Sequence, residues 1–393
     1  MSRIDDLIQK LCPDGVEYKT LGSVAKTFSG LSGKSKADFI DGNERFVSYM
    51  NAYSNLAVNL QANDFVKIRN NEKQNILHKG DVIITGSSES LEEAGFSSVL
   101  VTEPNWPLYL NSFCFAVRFN DPDILSPGFS KYLFRSKIMR KQIRLSAAGV
   151  TRFNISKNRF MRIRVPVPPL PVQEEIVRIL GSFTSLEAEL EAELEARKKQ
   201  YEYYRARLLG DSADTVMRLG DIFDMRAGTH ISTVAISQVS NETQRYPCFG
   251  GNGIRGYVDR FTYDGDVVFI GRQGALCGNV HRMSGKFYAT EHAVVVTPKI
   301  KVDMSWAFHK LTQMNLNQFK TKSAQPGLAV GRIKELTLRC PPFSEQHRIA
   351  SMLDGFDDLV SNLSSGLPAE IAARRQQYEY YRDRLLTFKE LTV

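Results

Sequence analysis

At 393 residues, 42% of them hydrophobic, the chain is too long for one ordinary domain and rich enough in apolar side chains to build two cores. A net charge of +8 favours a partner of negative charge, of which nucleic acid is the commonest, although general surface basicity would give the same sum. The five cysteines (Cys12, Cys114, Cys248, Cys277, Cys340) form no C-x-x-C pair, which excludes a disulfide framework and a zinc knuckle, and no run approaches about 20 apolar residues, so a cytoplasmic protein is expected, neither exported nor membrane-spanning.

The amino terminus, Met1 to Leu11, is amphipathic and lacks the apolar centre of a signal peptide. From Tyr18 to about Val167 the pattern is α+β, with strands at Asp81–Thr85, Ser98–Thr102 and Phe113–Arg118 and a helix from Gly128 to Arg144. Gly30-Leu-Ser-Gly33-Lys34-Ser35 is like a phosphate loop, but Phe28 stands where its first glycine belongs, so no nucleotide site follows. Between Ile124 and Gln173 there is no acidic residue, whereas Lys131, Arg135, Lys137, Arg140, Lys141 and Arg144 are followed by Arg152, Lys157, Arg159, Arg162 and Arg164. Such a run suits phosphate contacts, and a solvated helix face would produce it as well. The same lack of acids after Pro122-Asp123 leaves no carboxylates to gather around magnesium, which excludes a metal-dependent nuclease there.

Pro168-Pro-Leu-Pro-Val-Gln173 then opens a long helix whose seam is Ile176, Ile179, Phe183, Leu186, Leu190 and Leu194. A second α+β segment runs from Met217 to about Cys340, with strands at Asp266–Ile270 and Ala293–Thr297 and a helix from Trp306 to Phe319. A second proline-bounded start, Pro341-Pro-Phe-Ser-Glu-Gln346, leads to a helix with the seam Ile349, Met352, Phe356, Leu359 and Leu363, broken or restarted at Ser364-Ser-Gly366-Leu-Pro368. Cys340-Pro-Pro-Phe343 has the wrong first residue for an adenine methyltransferase motif and reads, like Val167-Pro-Pro-Leu170, as the start of a helix. His78, His230, His281, His292, His309 and His347 fall in no triad or metal spacing. No catalytic and no metal residue is expected.

Comparing the chain with itself explains this order. Ala196-Arg-Lys-Lys-Gln-Tyr-Glu-Tyr-Tyr-Arg-Ala-Arg-Leu-Leu209 returns as Ala373-Arg-Arg-Gln-Gln-Tyr-Glu-Tyr-Tyr-Arg-Asp-Arg-Leu-Leu386, and Lys79-Gly80-Asp81-Val82-Ile83 is echoed by Asp264-Gly265-Asp266-Val267-Val268. The chain is a tandem duplication: a globular domain over 1–165, a helical spacer over 166–210, a second globular domain over 211–338 and a second spacer over 339–393. A stripe packed against its own globular domain would explain one such helix, but two matched helices of this length favour an antiparallel coiled-coil pair related by a pseudo-twofold. Phe183 to Ala196 spans 13 steps and Phe356 to Ala373 spans 17, a difference of about one helical turn. A helix of about 38 residues extends roughly 57 Å, enough to serve two sites one DNA turn, roughly 34 Å, apart.

Polar glycine-rich turns follow the Gly-Asp-Val strands in both copies. Arg, Gln, Asn and Ser carry the donor and acceptor patterns that read base edges, so Ser87, Ser88, Arg245, Asn252, Arg255, Arg272 and Gln273 are the base-contact candidates, beside Lys131, Arg135, Lys141, Arg144 and Arg152 from the basic run. Any one of the loop residues would equally serve a plain turn.

The proline-bounded start, the long helix ending in Gln-Tyr-Glu-Tyr-Tyr-Arg and its repetition after a dissimilar globular segment together resemble the specificity subunit of type I restriction-modification systems. Leu11-Cys-Pro-Asp-Gly-Val-Glu-Tyr18 and Gly149-Val-Thr-Arg-Phe-Asn-Ile155 are similar to that family too. The resemblance implies two target-recognition domains that each read half of a split double-stranded DNA target. It implies helices that set the spacing through the repeat Leu186-Glu-Ala-Glu-Leu-Glu-Ala-Glu-Leu194 and dock two modification subunits, with restriction (translocase and nuclease) subunits also in the assembly. S-adenosylmethionine, ATP and magnesium would then sit on those partners and no cofactor on this chain. Tyr201, Tyr204, Tyr378 and Tyr381 would anchor the modification subunits, or else serve as ordinary helix-packing residues. A repeat-built enzyme or an unrelated coiled-coil scaffold is the alternative.

Overall fold

The duplication read in the sequence is carried by the backbone of a computed structural model, whose two halves share the same four-stranded antiparallel sheet. The structure describes residues 3–210, 215–274, 276–321, 326–361 and 366–392, so Leu363, Ser364 and Ser365 of the expected seam and break lie outside the described residues. The chain divides into two units, one formed by Met1–Glu189 with Ala372–Val393, the other by Leu190–Ile371.

In the first unit the strands Ala25–Ser29, Cys114–Phe119, Val82–Thr85 and Ser97–Val99 make an antiparallel sheet in that order. Alternation along the strands sends Val82, Ile84, Phe115 and Val117 into a core shared with Phe129, Tyr132 and Met139, and sends Ile83, Cys114 and Ala116 into a second core with Val47 and Leu110. Burial on both faces explains why Val82 to Ile84 reads as an unbroken apolar run. A smaller sheet places Glu44–Val47 parallel to Leu108–Leu110 and antiparallel to Phe65–Val66. Glu17–Thr20 pairs with Arg164–Val167, so the first strand and the last close on each other.

The second unit repeats the plan. Its sheet runs Phe223–Ala227, Ala293–Pro298, Val267–Gly271, Val280–Met283. Its smaller sheet holds Tyr246–Gly250 parallel to Lys286–Ala289, and its closing pair is Val216–Arg218 with Thr337–Arg339.

The expected helix from Gly128 to Arg144 is two helices, Pro127–Leu133 and Lys137–Leu145, because Ser136 caps a new start by accepting from Met139 N. Likewise Trp306 to Phe319 becomes a helix over Met304–Gln313, capped by Asp303, and a 3-10 turn over Leu316–Phe319, separated by Asn315 in the left-handed region at φ 46°. The long helix Leu170–Leu208 has 39 residues. Beyond it come Phe343–Ser361 and a restart at Leu367–Leu385 with Pro368 in its first turn, as the Gly-Leu-Pro sequence predicts.

The expected seams are met in part: Ile176, Leu190 and Ile349 are buried and Phe183 and Phe356 pack against tyrosines, whereas neighbouring positions replace the rest. Ile349, Leu353 and Val360 are buried, while Met352 and Leu359 are 40% and 37% exposed. In the first copy Val172, Ile176 and Leu180 form the fully buried stripe. Steps of four and seven follow the 3.6-residue period of a helix lying on a domain. Within the first unit the last helix runs antiparallel to the long one: Phe183 stacks on Tyr381 while Glu187, four residues further on, pairs with Arg375, six residues back. The last residues return to the start of the same unit, where Val16 N donates to Lys389 O, Leu391 N donates to Val16 O and the Tyr18 hydroxyl donates to Phe388 O.

Candidate nucleic-acid interface

Two corners, one per unit, gather some of the polar residues singled out in the sequence: Ser87, Ser88 and Arg152 in the first, Asn252, Arg255, Arg272 and Gln273 in the second. In the first unit Ser87 and Ser88 leave the central sheet and pair with Asn154 and Phe153, which brings Arg152 beside them. The result is a concavity of about 440 Å³ lined by Tyr49, Met50, Ser87, Ser88, Phe113 and Arg152, with Met50 and Phe113 60% and 62% exposed. Gly86 is bound from both sides, donating to Phe113 O and accepting from Ile155 N.

In the second unit Arg272 makes the equivalent bonds, donating to His292 O and accepting from Leu328 N, and Gln273 bridges Gly327. The hairpin tip at Gly250 to Gly253 comes in from the side: a Cβ on Gly271 would lie 1.9 Å from Gly251 O, so only glycine permits this approach. Asn279 donates to the Asn252 side chain, and the Arg255 side chain lies along Gly250. Asn252, Arg255, Arg272 and Gln273 therefore share one corner. Arg245 does not join them; it precedes the other end of the strand Tyr246–Gly250, stacked over Tyr246.

Sequence reasoning missed Glu291 in that corner. Its Oε1 faces His230 Nδ1 at 2.9 Å and His292 Nε2 at 3.4 Å, while Oε2 has no partner. Partial burial works to raise its pKa, but the His230 bond and the two imidazoles outweigh this and hold the carboxyl below its ordinary range. No spacing rule would have flagged it, because His230 lies 61 positions away in the chain.

The basic run is divided by the fold. Arg135 donates to Ser97 O at 2.7 Å and Tyr53 O at 2.6 Å, and Arg140 donates to Gly95 O and Ala94 O, both at 2.7 Å. Both guanidiniums lie over Phe96, at 4.3 and 4.5 Å, and desolvation brings both down to about 10. These two arginines hold the loop at 92–97 that follows the concavity's rim. Arg144 pairs with Glu92, and Lys131 lies over the Tyr132 ring. Lys141 and Arg152 are exposed, Arg152 within 3.8 Å of Glu89.

The four tyrosines on the repeated motif turn inward. Tyr201 and Tyr204 both lie against Phe356, with ring centroids 6.4 and 5.5 Å away, and Tyr381 stacks on Phe183 at 5.4 Å. Tyr378 sits edge-on to Tyr132, and burial pushes its hydroxyl up to about 12. The middle tyrosine of each motif points outward instead: Tyr203 and Tyr380 are 57% and 61% exposed. Helical geometry carries this signal, since positions three apart share a face and the residue between them does not.

The chain is thus a duplicated α+β protein with a loop-lined polar corner in each copy. The family model described as type I restriction modification DNA specificity domain matches residues 13–196 and 214–373, and the chain belongs to that family, carrying two of its domains in tandem. It is 55% identical over 207 residues to the type I restriction enzyme EcoprrI specificity subunit of Escherichia coli; the match takes in 51% of this chain and 52% of that protein, about half its length. In fold it is similar to the type I restriction-modification S subunit of M. genitalium (TM-score 0.56, 14% identity, 95% of this chain and 96% of that one). A chain solved in work on assembly and conformational transition of the type I R-M system gives TM-score 0.61 at 17% identity, covering 96% and 98%. Among the described residues no helix is long and apolar enough to cross a membrane, and no group of three or more His, Cys, Asp or Glu could hold a metal ion.

Proposed function

We propose that the chain is the DNA-reading, non-catalytic specificity subunit of a type I restriction-modification enzyme, working in the cytoplasm. One domain, over about 1–165, reads one half of a split double-stranded target and the other, over 211–338, reads the second half. The observation that carries this reading is the same corner built twice on the same sheet plan with different side chains: Ser87, Ser88, Phe113 and Arg152 in one, Asn252, Arg272, Gln273 and Glu291 in the other. Equal scaffolds with unequal contents suit two different half-sites. Lys141, Arg152 and Arg255 supply phosphate and base-edge contacts, while Arg135 and Arg140 shape the loop beside the first corner.

The helices set the gap between half-sites and dock two modification subunits, with Tyr203 and Tyr380 on the outward face of the repeated motif; restriction subunits complete the enzyme. Adenine methylation and ATP-driven cleavage, with S-adenosylmethionine, ATP and magnesium, belong to those partners. The relative described in terms of complex assembly supports a chain that acts with other subunits.

Co-expression with the cognate modification subunit, followed by genome-wide mapping of methylated adenine, tests the proposal. A split motif with a fixed gap that changes when the stretch Leu186 to Glu193 loses four residues is the expected result. A formed complex that adds no methylation overturns it.

A further inference from the structure

Two backbone bonds bring the segments that leave the two corners into register. In the first unit Ile155 N donates to Gly86 O and Leu21 N to Ile163 O; in the second Leu328 N donates to Arg272 O and Leu219 N to Leu336 O. The bonds bracket segments of equal length, so residues 155–163 and 328–336 correspond one to one. The short helices Lys157–Phe160 and Val330–Glu335 each start two residues after the bond to the corner, and Phe160 and Ile333, both fully buried, fall at matching places.

Along this segment the polar side chains are exchanged, with one exception. Lys157 corresponds to Val330, Met161 to Lys334 and Arg162 to Glu335, but Arg159 corresponds to Arg332. Each arginine directly precedes the buried Phe160 or Ile333, and one helical step of about 100° turns it out to solvent. Both are exposed, and neither guanidinium has a partner among the described residues. Carboxylates are scarce around both: no acidic residue stands between Asp123 and Glu174 or between Asp303 and Glu335, and Glu335 itself pairs with Arg218. An unpaired guanidinium in an acid-free stretch favours a polyanion.

The corners differ in content, as two different half-sites require, whereas this arginine is the same in both. A contact kept where the base-reading side chains change suits the part of DNA that is the same at every step, its phosphate backbone. We infer that Arg159 and Arg332 are equivalent phosphate anchors, one per domain, which hold each corner in register on the DNA backbone without reading a base. The inference rests on the proposed reading of the two domains as DNA-recognition modules.

The test is a salt series of DNA binding by the full chain assembled with its modification subunit, on a duplex carrying the split motif mapped for wild type and on one lacking it. Arg159→Ala and Arg332→Ala should each weaken binding roughly tenfold on both duplexes. Each should lower the slope of log affinity against log salt by about 0.9, and the double variant by about 1.8. Arg159→Lys and Arg332→Lys should keep the wild-type slope, because a point charge serves a phosphate. A double variant that keeps the wild-type slope and binds within about twofold overturns the inference. So does a loss confined to the motif-bearing duplex, which would make these arginines base readers. A wild type that prefers no split motif overturns the proposed function itself.

Discussion

Gln173 and Gln346, each four residues past the double proline that ends its domain, have two bonds in common in the two halves of the chain. Gln173 Oε1 accepts from Ser126 N and its Nε2 donates to Pro168 O and Ile124 O; Gln346 Oε1 accepts from Asp303 N and its Nε2 donates to Pro341 O. Both side chains are buried, at 1% and 2% exposure. Each ties the carbonyl of the first proline to the residue that caps the domain's main helix, so the spacer helix starts at a fixed point on its domain. Gln173→Ala and Gln346→Ala should each destabilise their own unit by about 2 kcal/mol, because buried partners are left unsatisfied. Chemical unfolding followed by hydrogen exchange in the two units checks this, and loss confined to the wrong unit would contradict it.

Arg135 and Lys141 sit six residues apart and should behave oppositely. Arg135→Ala removes a guanidinium that bonds Ser97 O and Tyr53 O, and should cost about 3 kcal/mol of stability. Lys141→Ala should leave the unfolding midpoint unchanged while lowering the slope of log affinity against log salt by about one. Salt titrations of DNA binding beside urea melts separate the two.

Acidification should weaken the second unit through His309. Burial, the largest influence, holds its imidazole below the ordinary value of 6.5, opposed by the bond and charge of Asp354; Arg282, Asp357 and the Tyr201 hydroxyl face the same cluster. The folded state therefore binds fewer protons than the unfolded one as pH falls below about 6.5, and stability drops in that direction. Asp354 is also held low, by bonds from Ser305, Arg282 and His309 that outweigh its burial, so a further loss follows as pH falls below the ordinary carboxylate value of 3.8. His309→Gln should flatten the decline between pH 7 and pH 5. An unchanged pH profile of urea midpoints would place the proton elsewhere.

Among the tyrosines, Tyr204→Ala and Tyr381→Ala should each lower stability by about 2 kcal/mol, since each loses a stacked ring, Phe356 or Phe183. Tyr203→Ala and Tyr380→Ala should leave stability within about 0.5 kcal/mol yet weaken assembly with the modification subunit, as read by size-exclusion chromatography of the mixed proteins.

The sequence made the large plan legible because duplication and proline punctuation are local signals: both proline-bounded helix starts, the 39-residue helix and the restart at Leu367 stand where the residues put them. Periodicity placed helices more reliably than it chose their faces, and Met352 and Leu359 are exposed because a helix on a domain follows 3.6 rather than 3.5 residues per turn. The corner residues were partly legible. Turn chemistry pointed to Arg272, Gln273 and Asn252, which meet, whereas Arg245 shares their composition and lies at the far end of a strand. Charge alone could not separate Arg135 from Lys141, since only tertiary structure supplies the carbonyls of Ser97 and Tyr53.

The core of the first unit is completed by Leu386, with Tyr378, Leu385 and Phe388 packed against it, and the Tyr18 hydroxyl bonds a carbonyl 370 positions away. On the ribosome this reverses the usual amino-to-carboxyl order in which domains finish. The second unit is contiguous and can close as soon as residue 371 has emerged. The first unit, although synthesised earlier, waits with part of its apolar face open until residues 372–393 have emerged, and is exposed to aggregation for that interval.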